Sequence, residues 1–173
     1  MRSVNTGVFW AAMTLCLSLA GCGFHLSGAP QLPAAMKLTY ISALGGDAEL
    51  IRELRRNLNT PVTAVTEHAA TATATLNILH SQRYQRVLSV SNTGQPVEYQ
   101  VAYQVQFSLT AGGGRVLISP QTLTLTQDYA YDVANVIGDT EQANVLYAAM
   151  ERNMAQLIMF RLEAAGRAMG APK

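Results

Sequence analysis

Cysteine is scarce: two residues among 173, Cys16 and Cys22, both near the amino terminus. No disulfide framework and no thiolate metal site can be built from the rest of the chain. Charge is also sparse, at 13% of residues, and balanced, with 12 Lys and Arg against 11 Asp and Glu. A nucleic-acid binder carries a basic excess or stripe, and none is present. There are three histidines, His25, His68 and His80. No Ser/His/Asp set, carboxylate pair, HExxH or phosphate-binding glycine loop accompanies them, which argues against an enzyme. Gly112-Gly113-Gly114 lies between strands with no helix after it and reads as a turn. One apolar run, Val8 to Leu19, stands out; at about a dozen residues it falls short of the ~20 that span a bilayer.

What is present begins with that run. Arg2 precedes it and small residues end it, the pattern of a secretory signal over residues 1–21. Its end, Leu19-Ala20-Gly21-Cys22, is a bacterial lipobox. Cleavage before Cys22 and acylation of its thiol and new amino group would anchor the chain, since stable membrane attachment needs more than one acyl chain. Gly23 stands where an Asp would signal retention at the inner membrane, which favours the outer membrane. Removing 21 residues from 173 leaves 152, and losing Arg2 leaves a formal charge of zero. That length suits one domain. Residues 22–36 read as a lipidated tether, 37–166 as a single folded domain and 167–173 as a tail. The covalent lipid on Cys22 is the one prosthetic group expected; no other cofactor and no metal is.

The domain reads as β-α-β-β-β-α. Lys37 to Ile41 is a short strand, and Asp47 caps a helix through Leu58 with Leu50, Ile51, Leu54 and Leu58 on one side. Between Ala72 and Val90 the even positions carry Leu76, Ile78, His80, Tyr84, Arg86 and Leu88, which places His80 and Arg86 at the rim of the core. Val97, Tyr99, Val101, Tyr103, Val105, Phe107 and Leu109 alternate with polar residues in strict period two, a strand with one buried face. Asn92-Thr93-Gly94 makes the turn before it. The last strand, about Val116 to Tyr131, puts Leu123, Leu125 and Tyr129 opposite Thr122, Thr124 and Thr126, and Pro120 marks an interruption or edge. Asp139 and Gln142 form a capping box for a long helix with an Ala143-Leu146-Met150-Met154-Leu157-Ile158-Leu162 stripe, closed by Gly166 at its C′ position. The expected fold is α+β: a four-stranded, mostly antiparallel sheet with two helices on one face.

Four segments carry a likeness to a known family. Gly21-Cys22-Gly23-Phe24-His25-Leu26, Leu32-Pro33 ahead of Met36-Lys37-Leu38, Gly94-Gln95-Pro96-Val97-Glu98-Tyr99-Gln100 at a strand start, and Asp139-Thr140-Glu141-Gln142 before the last helix resemble the LptE (RlpB) family of lipopolysaccharide-assembly lipoproteins. The likeness runs through nearly the whole mature chain. It implies a partner, the outer-membrane β-barrel LptD, whose lumen such lipoproteins plug and whose assembly they assist. It implies a joint role in inserting lipopolysaccharide into the outer leaflet.

Barrel lumens are polar, so a plug should present uncharged hydrogen-bonding groups. Gln100, Gln104, Gln106, Thr122 and Thr124 are candidate barrel contacts. If the first strand runs parallel to the second, the 92–94 turn and the Gly138-Asp139-Thr140 segment share the pole opposite the anchor. Asn92, Thr93 and Asp139, with Arg83 and Arg86 further down the strand, are then candidate lipopolysaccharide contacts. The chain departs from the family at this tip: Ser91, Asn92 and Thr93 stand where family members can carry the basic residues that suit phosphate. A competing reading is a periplasm-facing lipid-binding lipoprotein without a barrel partner, its cavity lined by Tyr99, Tyr103 and Phe107.

Overall fold

The computed structural model describes residues 31–132 and 136–170, with side chains in the last helix from Thr140 onward. Cys22 lies outside the described residues. Five strands and two α-helices follow a short 3-10 turn at Ala34–Lys37: β1 (Leu38–Ser42), α1 (Ala48–Leu58), β2 (Ala64–Thr66), β3 (Ala74–Val90), β4 (Pro96–Ala111), β5 (Val116–Ala130) and α2 (Val136–Gly170). They make one mixed sheet in the order β2-β1-β3-β4-β5. The expected sheet of four strands is therefore corrected to five. The added strand, β2, is three residues long and pairs parallel with β1, Leu38 opposite Ala64. Three residues are too few to show an alternation.

β1 is parallel to β3, as the helical crossover predicts, and β3, β4 and β5 form an antiparallel meander. At about 3.3 Å per residue, the 17 residues of β3 and 16 of β4 reach roughly 50 Å. β1 pairs only with Ala74 to Asn77 of β3, so the far half of the sheet is the β3–β4–β5 meander alone. The sheet has two poles. The base holds the entry to β1 and the 112–114 turn, tied together by Thr73 N–H to Leu38 O and Gly112 N–H to Thr73 O, both 2.8 Å. The tip holds the Ser91–Gln95 turn and the end of β5, where Tyr131 N–H donates to Val97 O at 2.9 Å. Gly94 makes the tip turn possible with a φ of 79°.

Both helices lie on one face. Leu50, Leu54 and Leu58 of α1 are fully buried, and with Ile51 they pack into one core with Leu76, Ile78, Val101, Tyr103, Val105, Phe107 and Leu109. Burying four such side chains contributes up to about 6–10 kcal/mol. Asn59 ends α1, its N–H donating to Arg55 O, and Pro61 follows soon after. Asp47 precedes α1 in an extended conformation without a side-chain capping bond. Glu53 of α1, although charged, is buried, and it pairs with Arg56.

α2 departs from expectation at both ends. It starts at Val136, so Asp139 sits inside the first turn and not at a cap; its side chain lies outside the described residues. It also runs through Gly166 to Gly170. Gly166 is not a helix stop: a β-carbon there would collide with the backbone of Gln31, Leu32 and Pro33, which crosses the helix at that point.

Candidate functional site

The parity of β3 decides which side chains can meet a partner. Ile78 pairs with Phe107 and His80 with Gln106, so Leu79 is an extra residue in a β-bulge. One extra residue moves the following side chains to the other face, here as far as the next register shift after Val87. Ser81, Arg83, Gln85 and Val87 oppose Val105, Tyr103, Val101 and Tyr99 on the helix-covered face, while Gln82, Tyr84 and Arg86 oppose Gln104, Ala102 and Gln100 on the open one. The expectation that His80 and Arg86 sit at the core rim is thereby corrected: both are exposed on the open face.

The open face carries a ladder of mostly uncharged polar side chains. Gln100, Gln104 and Gln106 of β4 lie in register with Asp128, Thr124 and Thr122 of β5. Gln104 Nε2 donates to Thr124 Oγ1 at 3.3 Å. Arg86 Nε donates to Gln100 Oε1 at 2.9 Å, and Gln100 Nε2 to Asp128 Oδ1 at 2.7 Å, linking three strands. Toward the base, Asn77 Nδ2 donates to Ser108 Oγ and Thr110 Oγ1, each at 3.4 Å. Pro120 fits at a register shift on the edge strand β5, between Gln121 opposite Phe107 and Ile118 opposite Leu109. The five glutamines and threonines singled out in the sequence thus share one surface.

Arg83 is engaged on the covered face. It pairs with Glu151 of α2, whose side chain is 3% exposed, lies 3.8 Å from Asp47 Oδ2, and sits 5.5 Å from the centre of the Tyr147 ring. Burial raises the Glu151 carboxyl above its ordinary range, against the opposing pull of Arg83. Burial, and after it the Asp47 carboxylate, pushes the Tyr103 hydroxyl above the usual phenol range. Tyr103 Oη and Asp47 Oδ2 are buried beside each other, and neither has a further hydrogen-bond partner among the described residues.

At the tip, Ser91 N–H donates to Gln95 O at 2.7 Å and the Ser91 and Thr93 hydroxyls lie 2.9 Å apart. Val87, Leu88, Val90 and Val97 around the turn are exposed apolar residues. Arg86 lies further down β3, and Arg83 further still. Tyr103 and Phe107 are closed into the core, whereas Tyr99 borders a cleft of about 300 Å³ under the tip, with Gln85, Tyr129, Tyr131, Thr140, Ala143, Asn144 and Tyr147. Sequence reading missed this cleft, because α2 supplies half of it. A broader hollow of about 470 Å³ beside α1 includes Arg52 and Arg55, already paired with Glu49 and Glu67. Among the described residues, no group of three His, Cys, Asp or Glu could hold a metal ion, and no helix is long and apolar enough to cross a membrane.

Comparison with known proteins gives a consistent picture. The family LptE, described as Lipopolysaccharide-assembly, matches residues 40–162. LPS-assembly lipoproteins LptE from Yersinia pestis and Pectobacterium atrosepticum are 26% and 23% identical over 156 and 147 residues, covering 87% and 84% of this chain and 74% and 79% of theirs. That of Photorhabdus laumondii is 29% identical over 109 residues, 60% of each chain, so the match spans less than two thirds of that relative. Among solved structures, an uncharacterised lipoprotein B from Nitrosomonas europaea superposes with a TM-score of 0.69 at 26% identity, over 87% of this chain and 99% of that one. Rare lipoprotein B from Shewanella oneidensis shares the fold at 19% identity, with a TM-score of 0.67 over 78% and 99% of the two chains.

Proposed function

Because this chain belongs to the LptE family of lipopolysaccharide-assembly lipoproteins, we propose that it plugs the LptD β-barrel of the outer membrane and helps that barrel deliver lipopolysaccharide to the outer leaflet. The observation that carries this reading is the open sheet face. Gln100, Gln104 and Gln106 with Thr122, Thr124 and Thr126 form an extended hydrogen-bonding surface of mostly uncharged groups on the side away from both helices, with Arg86 and Asp128 tied into it through Gln100. A water-filled lumen lined by polar side chains suits such a face. It does not ask the protein to bury unpaired charge. Size supports the reading too. Strands of about 50 Å exceed the ~25 Å apolar band of an outer-membrane barrel, so the meander can fill the lumen while the base stays in the periplasm.

Lipid on Cys22 would hold the base at the inner leaflet, and the tip would then face the arriving lipopolysaccharide. Asn92, Thr93 and Asp139 are the proposed contacts there, with Arg86 available from the open face. Arg83 is assigned to holding α2 on the sheet, since its guanidinium is already paired with Glu151.

The test is purification of the lipoprotein in mild detergent. A stable one-to-one complex with a large outer-membrane β-barrel is expected. A lone monomer carrying lipid would favour the competing reading, a lipid-binding lipoprotein without a barrel. The full burial of Tyr103 and Phe107 weighs against the cavity that reading needs.

A further inference from the structure

We infer that the tyrosine cleft under the tip is a binding site for one uncharged pyranose ring, and so deepen the function proposed above, on whose lipopolysaccharide role this rests. The cleft lies between the covered face of the meander and the first turns of α2. Tyr99 stacks on Tyr129 at 5.9 Å between ring centres and meets Tyr131 edge-on at 4.9 Å. Tyr147 closes the other side, its hydroxyl donating to Tyr84 O at 2.9 Å and still able to accept. Gln85 Nε2 donates to Tyr129 Oη at 2.9 Å, which leaves the Gln85 carbonyl oxygen as an acceptor. Asn144 adds an amide from α2.

The chemistry selects the ligand. Aromatic faces take the C–H face of a sugar, and amides and phenols read its hydroxyls in either direction. No Lys, Arg, Asp or Glu is among the described lining residues, and the Arg83 guanidinium over the Tyr147 ring is already paired with Glu151, so among the described residues a phosphate finds no unpaired cation. A quaternary ammonium would use the rings alone and leave the surrounding polar groups unmatched. An acyl chain would want an apolar slot, and Ala143 is the one aliphatic lining residue. At about 300 Å³ the cleft sits at the lower end of small-molecule sites, room for one ring and not for a branched glycan. The ring can come from the saccharide of a glycolipid or from a free glycan.

The experiment uses the mature lipoprotein in a detergent without sugar headgroups. Cleavage before Cys22 would remove Trp10, the single tryptophan, and four of the seven tyrosines line the cleft, so a change in tyrosine emission that Tyr131→Ala abolishes reports it. Methyl α-glucopyranoside and methyl α-mannopyranoside are titrated by tyrosine emission and by saturation-transfer NMR. Saturable binding is expected, weakened about tenfold or more by Asn144→Ala and by Tyr131→Ala, which corresponds to about 1.4 kcal/mol each. Asn144 is exposed on α2, so its variant should keep the wild-type melting curve. Gln104→Ala, on the other face, should bind as wild type. Absence of saturable binding, binding unchanged in a folded Asn144→Ala protein, or a preference for tetramethylammonium would each overturn the assignment. Displacement of the methyl glycoside by core oligosaccharide released from lipopolysaccharide identifies the glycolipid as the source; no displacement identifies a free glycan. Because the lipoprotein is used alone, loss of sugar binding and loss of the barrel complex are separate results.

Discussion

Replacing Arg83 with methionine separates a structural arginine from a ligand-binding one. The guanidinium pairs with Glu151, whose side chain is 3% exposed, while Arg83 itself is 42% exposed. Removing one partner of a fully buried pair costs about 3–5 kcal/mol, mostly for the charge left behind. An exposed pair is worth about 0.2–1 kcal/mol. With one end buried and the other wet, we expect Arg83→Met to cost about 2 kcal/mol, since Arg152, the other cation acting on Glu151, acts more weakly than Arg83. For a domain of this size that lowers the melting temperature by about 4–8 °C. Thermal and urea unfolding followed by circular dichroism read it out. Glu151→Gln removes the stranded charge. In the Arg83→Met background it should therefore recover about 1 kcal/mol, while alone it should cost little. An Arg83→Met protein within about 0.5 kcal/mol of wild type, or a double variant no more stable than Arg83→Met alone, would refute the reasoning.

Glu151 also predicts a pH dependence. Its carboxyl pKa is raised on folding by burial, so the folded state holds that proton more tightly than the unfolded chain. Its contribution favours folding at low pH and is lost as pH rises from the ordinary carboxylate range through the raised folded value; relative to Glu151→Gln, wild type should lose stability as pH rises above that ordinary range, and a flat difference would contradict this. Gly166→Ala should destabilise by about 1–2 kcal/mol in urea unfolding, because the collision with the backbone of Gln31 to Pro33 outweighs the roughly 1 kcal/mol helix-propensity gain; a stabilised variant would show that the segment crossing the helix is displaced freely. At the tip, Asp139→Lys with Asn92→Ala should weaken lipopolysaccharide binding while leaving the barrel complex intact, and an unchanged binding curve would remove the tip from the contact surface.

The parts of the fold that could be read from sequence are those where one face is buried along a whole element. The alternation from Val97 to Leu109 marks the strand, and from Val101 onward its covered side, although Val97 itself is exposed at the tip; the Leu50-Leu54-Leu58 spacing marks α1. What escaped depends on contacts distant in sequence. The bulge at Leu79 leaves a trace, an apolar residue at an odd position after Ile78, but its consequence, the exchange of His80 and Arg86 for Arg83 and Gln85 on the covered face, follows only from pairing with β4. β2 is held by β1 and has no pattern of its own. Gly166 looks like a helix stop because glycine serves both ends and close approaches, and only the path of residues 31–33 separates the two. The glutamine and threonine ladder was visible as a face; the tyrosine cleft was not, since β3, β4, β5 and α2 each bring part of it.

Site-specific photocrosslinking in the living cell tests the plug most directly. A crosslinking amino acid at Gln104 or at Thr124, on the open face midway along the meander, should trap the outer-membrane barrel in high yield. The same probe at Gln156, an exposed position on the helical side, offers the comparison. Adducts from Gln104 and Thr124 with a barrel of LptD size are the predicted result; probes at both positions that reach only water and lipid, while the lipoprotein is folded and anchored, would contradict the account.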